Sequence, residues 1–255
     1  MMAPSSDLFA NGDYSFWSRI FEPCSETLVE AASITEGSHV LDVAAGNGNT
    51  SLAAARRGAI VTALDFSPAQ IARGSTRART ERRPVAWVEG DATNLPFAGG
   101  TFDRTFNSFG DVIVVEEMFR VVRPGGVVGI AGWTGEDFDS DIEQLEASLR
   151  DGAEEGQESH LWGRKDTVHR MLEPSASSVD VRRHVLPVRF ESVDAFSDEL
   201  FRKDPYMHAL RKELPSDRWW RYTREVPRIV ARWNKARDGS LLLEMPYLVT
   251  VARKR

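Results

Sequence analysis

Short apolar runs alternate with segments of helical period through the first half of the chain. His39–Ala44 (HVLDVA) and Ile60–Leu64 are nearly continuous apolar stretches, the pattern of strands buried on both faces. Val85–Val88, Phe102–Phe109 and Val127–Trp133 extend the series to five strands. Between them, Thr50–Arg57 is rich in Ala and Leu, is closed by Gly58 and reads as a helix, as does Pro68–Arg79. Val115, Met118, Phe119 and Val122 recur at i, i+3, i+4 and i+7, one apolar helix face, before a predicted turn at Pro124-Gly125-Gly126. Leu8–Ala32 is mixed and helical in its second half, where Leu28, Val29 and Ala32 share a face. Strand–helix alternation of this kind predicts an α/β protein with a mostly parallel sheet covered by helices on both faces.

The second half breaks the alternation. Asp139–Arg150, Lys165–Leu172, Ser192–Lys203 and Ser216–Lys235 read as helices, the last kinked by Pro227 and capped by Gly239. Val179–Phe190 and Leu241–Ala252 read as strands, with Pro246 implying a bulge or a delayed start. The sheet thus gains two late strands, and the helices interrupting their connection would form a substrate cap. The expected organisation is one domain: N-terminal lid helices (1–36), a core (37–134), a cap with one late strand (135–239) and a final strand (240–255).

Composition changes this picture little. At 255 residues, 42% hydrophobic and 27% charged, the chain can bury a sizeable core. A net charge of −6 argues against a nucleic acid as partner. The single cysteine, Cys24, cannot form an internal disulfide, which fits a reducing cytoplasm. No apolar run approaches a membrane span, and Met1–Asp7 lacks the features of a signal peptide. No His/Cys spacing suggests a metal site.

Three acidic residues at strand ends carry the chemistry. In VLDVAAGNGNT (Val40–Thr50), a buried strand bearing Asp42 runs into a loop with Gly46 and Gly48, where a ligand can approach the backbone. A carboxylate before that loop would repel a pyrophosphate but attract an ammonium. Asp65, about 20 residues beyond the loop at the end of strand two, is placed to accept ribose hydroxyls. Asp91, in Gly90-Asp91-Ala92 after strand three, can accept from an adenine amino group. Any one of these acids alone is more often a cap or loop residue; the ordered set points to an adenosine ligand with an amino-acid end.

At this point the sequence resembles the class I S-adenosylmethionine (SAM)-dependent methyltransferases, in the branch containing the ubiquinone/menaquinone biosynthesis C-methyltransferases. VLDVAAGNGNT matches the first motif with Ala44 in place of its first glycine; ALDFSPAQI, GDATNLPFAGGTFD and EMFRVVRPGGVVGIAGW match the later ones. The resemblance implies a Rossmann-like seven-stranded sheet, SAM as cofactor and a small-molecule methyl acceptor, such as a secondary metabolite or quinone-like compound. It implies that Asp42, Ala44, Gly46 and Gly48 surround the methionine part of SAM and that Asp65 holds the ribose. Phe66 and Ser67 would flank the adenosine, Asp91 and Ala92 read adenine, and Asn107 and Ser108 border the methionine end. NGDYSFW resembles the helix that closes over SAM in this branch, which makes Tyr14 and Trp17 lid candidates.

Methyl transfer asks little of side chains, because the sulfonium is already activated; the protein aligns the reactants and excludes water. A base is needed only where the acceptor must lose a proton. Among His39, His160, His169, His184 and His208, the candidate is His160 in SHLWG, with a packed or surface residue as the competing reading. Only Asp111–Arg123 separate Phe109-Gly110 from the Pro124 turn, a shorter connection than is usual in this branch. The wall beside the SAM methyl is therefore expected to be short, with Asp111 close to it. Trp162, Phe196, Phe201, Tyr206, Trp219, Tyr222 and Trp233 read either as core or as the lining of an acceptor pocket built by the N-terminal segment and the late helices. Competing functions are a SAM-binding scaffold or cyclase without methyl transfer, and a nicotinamide-dependent oxidoreductase. Ser51 disfavours the latter, because it stands where the dinucleotide fingerprint has its third Gly or Ala.

Overall fold

The computed structural model describes residues 15–110, 114–150 and 160–255. In chain order the described elements are α1 (Ser15–Ala31), β1 (His39–Val43), α2 (Asn49–Arg56), β2 (Ile60–Asp65), α3 (Pro68–Thr80), β3 (Val85–Glu89), β4 (Phe102–Ser108), α4 (Val115–Val121) and β5 (Val122–Trp133). There follow α5 (Phe138–Leu149), a 3-10 turn (Leu161–Gly163), α6 (Lys165–Leu172), β6 (Ala176–Phe190), α7 (Val193–Lys203), α8 (Pro205–Glu213), α9 (Ser216–Trp233) and β7 (Leu241–Lys254).

The seven strands form one sheet of order β3-β2-β1-β4-β5-β7-β6. β1 pairs in parallel with β2 and β4, β2 with β3, and β4 with β5; β7 runs antiparallel to β5. This is the mostly parallel sheet that the strand–helix alternation predicts, with the seven strands that the resemblance implies. Val40, Leu41, Asp42 and Val43 are all buried, as a central strand covered on both faces requires. The strand order reverses between β1 and β4, and ligands of such sheets bind outside the carboxyl ends of the strands at that switch point. The outermost strand, β6, carries exposed Arg182 and Arg183, charges that blunt an open edge.

The chain divides into two compact units. The α/β unit holds residues 18–110, 114–134, 160–184 and 247–255. Its core packs Leu41, Val43 and Leu64 with Met118, Phe119, Val128, Ile130, Trp162, Val168 and Leu172. The helical unit holds residues 15–17, 135–150 and 185–246. Phe138, Phe196, Leu210, Tyr222, Val226 and Val230 fill its interior.

Three local expectations change. Pro124-Gly125-Gly126 does not precede strand five but lies within it: Phe102 pairs with Val122 and Arg104 with Val127, so β5 carries the extra residues as a bulge. Left-handed Gly125 (φ 73°) makes that bulge possible. Gly239 (φ 91°) does not cap the last helix. α9 ends at Trp233, and Asn234 Oδ1 accepts from Ala236 and Leu242 N–H groups to turn the chain. Finally, the segment between the two predicted late helices contains a helix of its own, α8, started by Pro205 and capped by the Asp204 side chain on Tyr206 N–H (2.7 Å).

Candidate cofactor and acceptor site

The loop leaving β1 is left-handed at alternate residues: Ala44 (φ 56°), Gly46 (φ 55°) and Gly48 (φ 88°). Ala44 stands where the resembled motif has glycine and nevertheless keeps the glycine conformation, at a cost of about 1–2 kcal/mol. Gly48 is fixed by packing as well as by φ, because a Cβ there would come within 2.7 Å of the Trp87 ring. It ends the loop as the N-cap of α2, whose first N–H groups have no acceptor within the helix.

Asp42 is almost wholly buried beneath this loop. Its Oδ2 accepts from Ser51 Oγ (2.6 Å), while its Oδ1 is buried and finds no hydrogen-bond partner among the described residues. Burial pushes its pKa up to about 7, against the Ser51 hydrogen bond and with help from the neighbouring Asp65 charge. Across the switch point, at the end of β4, Asn107 donates to the Val43 carbonyl (3.1 Å), and its own Oδ1 is likewise buried and unserved. Two buried acceptors without donors among the described residues, one of them a carboxylate, fit a ligand that carries an ammonium.

Asp65 ends β2 and holds the loop from the other side. Its carboxylate accepts the Gly46 N–H (2.7 Å) and the Ser67 N–H (2.8 Å), and burial raises its pKa against those bonds. Ser67 is buried and caps α3 by accepting from Gln70 N–H. Phe66 between them is 41% exposed, an unusual position for a large ring at a strand end and a suitable face for adenine. After β3, Asp91 is exposed and accepts from both the N–H and the hydroxyl of Thr93, which hold its pKa low. Ala92 buries its methyl in the core. Asp42, Ala44, Gly46, Gly48, Asp65, Asn107 and Ser108 are therefore brought to one loop and its adjoining strand ends.

Ser108 belongs to a hydroxyl chain: Thr50 Oγ1 donates to Ser25 Oγ (3.0 Å) and lies 2.8 Å from Ser108 Oγ. Phe109 follows in the left-handed region (φ 56°), a strained conformation for an aromatic residue. Its ring stacks on Trp133 at the end of β5, with centroids 4.1 Å apart; Phe21 meets Trp133 edge-on and Phe109 at a tilt, and Tyr247 meets both rings edge-on. His184 stacks on Tyr247. Tyr247 is hydrogen-bonded to buried Cys24, and burial pushes both of their pKa values up to about 12. This aromatic group was missed in the sequence. Its members come from α1, the residue after β4, β5, β6 and β7, and no periodicity along the chain links them.

The remaining candidates are dispersed. Tyr14 and Asp111, and with Asp111 the short wall, lie outside the described residues. Trp17 packs edge-on against Phe196 in the helical unit. His160 begins the turn 161–163 with φ 61°, and that turn packs on the end of β5, where Gly132 makes room for Trp162. Trp162, Phe196 and Tyr222 are core residues, which resolves their ambiguity in favour of packing. Tyr222 and Tyr206 both donate to buried Glu146 (2.6 Å each).

Comparison with known proteins accords with this geometry. A family model described as a methyltransferase domain matches residues 40–126. An uncharacterised protein of Mycobacterium tuberculosis is 34% identical over 203 residues, covering 75% of this chain and 73% of its own. The demethylmenaquinone methyltransferase of Paenarthrobacter aurescens is 39% identical over 132 residues, covering 49% of this chain and 48% of its own. Among solved structures, the YcgJ protein of Bacillus subtilis shares the fold, with a TM-score of 0.60 at 18% identity over 91% of this chain and 99% of that one. The chain belongs to the class I SAM-dependent methyltransferases.

Proposed function

We propose that this methyltransferase binds SAM at the carboxyl ends of β1, β2 and β4 and transfers its methyl group to a small acceptor with a flat apolar ring. The observation that carries the reading is the buried, unserved Oδ1 of Asp42 beside the left-handed loop, matched by that of Asn107. An unpaired buried carboxylate oxygen is costly unless a ligand supplies its donor, and the SAM ammonium would do so. In this reading the loop backbone at Ala44–Gly48 wraps the methionine portion, and Asp65 holds the ribose while keeping its bonds to Gly46 and Ser67. Phe66 covers one adenine face, Asp91 and Ala92 meet the adenine edge, and Ser108 borders the methionine end. The same carboxylates would repel the pyrophosphate of a nicotinamide cofactor.

When bound, SAM supplies a methyl group on a sulfonium that needs no further activation. The protein's work is then alignment and exclusion of water. The Phe109–Trp133 stack, with Phe21 and Tyr247, offers the acceptor an aromatic wall just beyond Ser108. A strained Phe109 held by such a stack is a feature that function, rather than folding, accounts for. Where the acceptor must lose a proton, His160 is the group we assign to take it. Titration calorimetry with SAM and S-adenosylhomocysteine tests the cofactor site, and transfer of isotope-labelled methyl to phenolic and quinol acceptors tests the wall. Micromolar binding and labelled product are expected; absence of SAM binding to the native protein would overturn the reading.

A further inference from the structure

The motif loop is tied down by a residue that neither the cofactor reading nor the family match uses. Arg77, on α3, directs a single nitrogen, Nη1, into the loop. It lies 2.9 Å from Asn47 Oδ1, 3.1 Å from Asn47 O and 2.7 Å from Asn49 Oδ1. Ser18 of α1 meets the same two oxygens, with Oγ 2.6 Å from Asn47 Oδ1 and 2.9 Å from Asn49 Oδ1. Its one proton serves them in turn, and Asn49 Nδ2 donates back to the Ser18 carbonyl (2.7 Å). Asn47 and Asn49 flank Gly48, so these contacts grip the loop on both sides of its last left-handed residue. Asn47 is itself almost fully buried.

The geometry assigns Arg77 as the positioning residue for the SAM loop: it locks Asn47 and Asn49, together with Ser18, so that the left-handed backbone is formed before the cofactor arrives. The assignment rests on the SAM reading above. The physical ground is preorganisation. A loop with glycines at 46 and 48 is costly to order, and a loop ordered in advance binds more tightly because binding no longer pays for that order. A cation suits the place, because three oxygens of the loop converge on one nitrogen, and charged hydrogen bonds are the strong ones. Arg77 touches neither reacting atom, and its guanidinium lies 3.9 Å from Glu22, which offsets the charge it buries.

The test separates positioning from mere stability by using a control. Arg56 on α2 instead bonds Glu22, Glu26 and Glu81. Arg77→Met, Arg77→Lys and Arg56→Met are compared by thermal melting, by calorimetry with SAM and by initial-rate kinetics well below the melting point. Arg77→Met is expected to raise the SAM Kd and the KM for SAM about tenfold or more while kcat falls less than threefold. Arg77→Lys, which still places a cation near the three oxygens, recovers a large part of the affinity. Arg56→Met lowers the melting temperature and leaves the SAM Kd unchanged. Equal SAM affinity in Arg77→Met and native protein overturns the assignment, as does a loss of affinity that Arg56→Met reproduces at matched stability. Failure of the native protein to bind SAM would instead overturn the cofactor reading.

Discussion

The carboxylate of Asp42 makes a quantitative demand on the ligand-free protein. Burial raises its pKa from 3.8 to about 7, so the folded state holds the proton that the unfolded chain releases near pH 4. The sign follows: its contribution is most favourable below pH 4 and is lost as pH rises toward 7, above which the penalty is constant. Three pH units at ~1.4 kcal/mol each give a cost of about 4 kcal/mol at pH 8. Asp42→Asn removes the charge while leaving an oxygen to accept from Ser51, and it introduces amide donors whose burial costs about 1–3 kcal/mol. The variant should therefore be more stable than the native protein at pH 8 by about 1–3 kcal/mol, a rise in Tm of several degrees for a chain of this size. At pH 5 the advantage should vanish or reverse. With SAM the order changes: the native protein gains a charge pair and the variant does not, so the ligand-induced Tm shift at pH 8 is smaller in Asp42→Asn. Melting curves of both proteins between pH 5 and 8.5, with and without saturating SAM, measure all of this, and the other titrating groups cancel in the difference. A native-minus-variant difference independent of pH would refute the buried-charge argument; an equal SAM shift in both would remove Asp42 from the ligand.

Four further outcomes are expected. Asp65→Ala should weaken SAM binding by one to two decades, from loss of charge-assisted bonds worth about 1.5–3 kcal/mol, and calorimetry reads this directly. Gly48→Ala should lower stability in a denaturant melt by about 1–3 kcal/mol, since its Cβ would fall 2.7 Å from the Trp87 ring in a backbone region glycine favours. Tyr222→Phe withdraws a donor that lowers the pKa of Glu146 and should cost about 1–3 kcal/mol, more at pH 8 than at pH 5, because the unserved carboxylate is penalised when ionised. His160→Ala should remove the acidic limb of the pH–rate profile for an acceptor that loses a proton, and an unchanged profile dismisses His160 as the base.

What could be read from the sequence divides along physical lines. The strands of the α/β unit were legible because a central parallel strand is apolar on both faces, and the acids at their ends stood out against that background. The helix read over Lys165–Leu172 coincides with α6 to the residue. The Pro124–Gly126 stretch misled because Pro and Gly signal a turn locally, whereas pairing with β4 on both sides carries the strand through them. Helix α8 was invisible between two stronger helices, though Asp204-Pro205 is a sound start signal in retrospect. Phe21, Phe109, Trp133 and Tyr247 could not be found at all, because they are adjacent only after α1, β4, β5 and β7 have been assembled.

Two buried carboxylates show why geometry adds what residue type cannot. Glu146 and Asp42 are similarly buried acids in apolar surroundings, and both have pKa values raised by burial. Glu146 has each oxygen served by a tyrosine, Oε1 by Tyr222 and Oε2 by Tyr206, and joins α5, α8 and α9. A satisfied buried acid of this kind specifies how helices pack and asks nothing of a ligand. Asp42 has one oxygen served by Ser51 and the other by no donor among the described residues, at the carboxyl end of the central strand and beneath a loop held in left-handed backbone. Folding alone would favour an apolar residue or a second donor there. In the SAM reading the ligand's ammonium supplies the missing donor, at the end of the sheet where the strand order reverses.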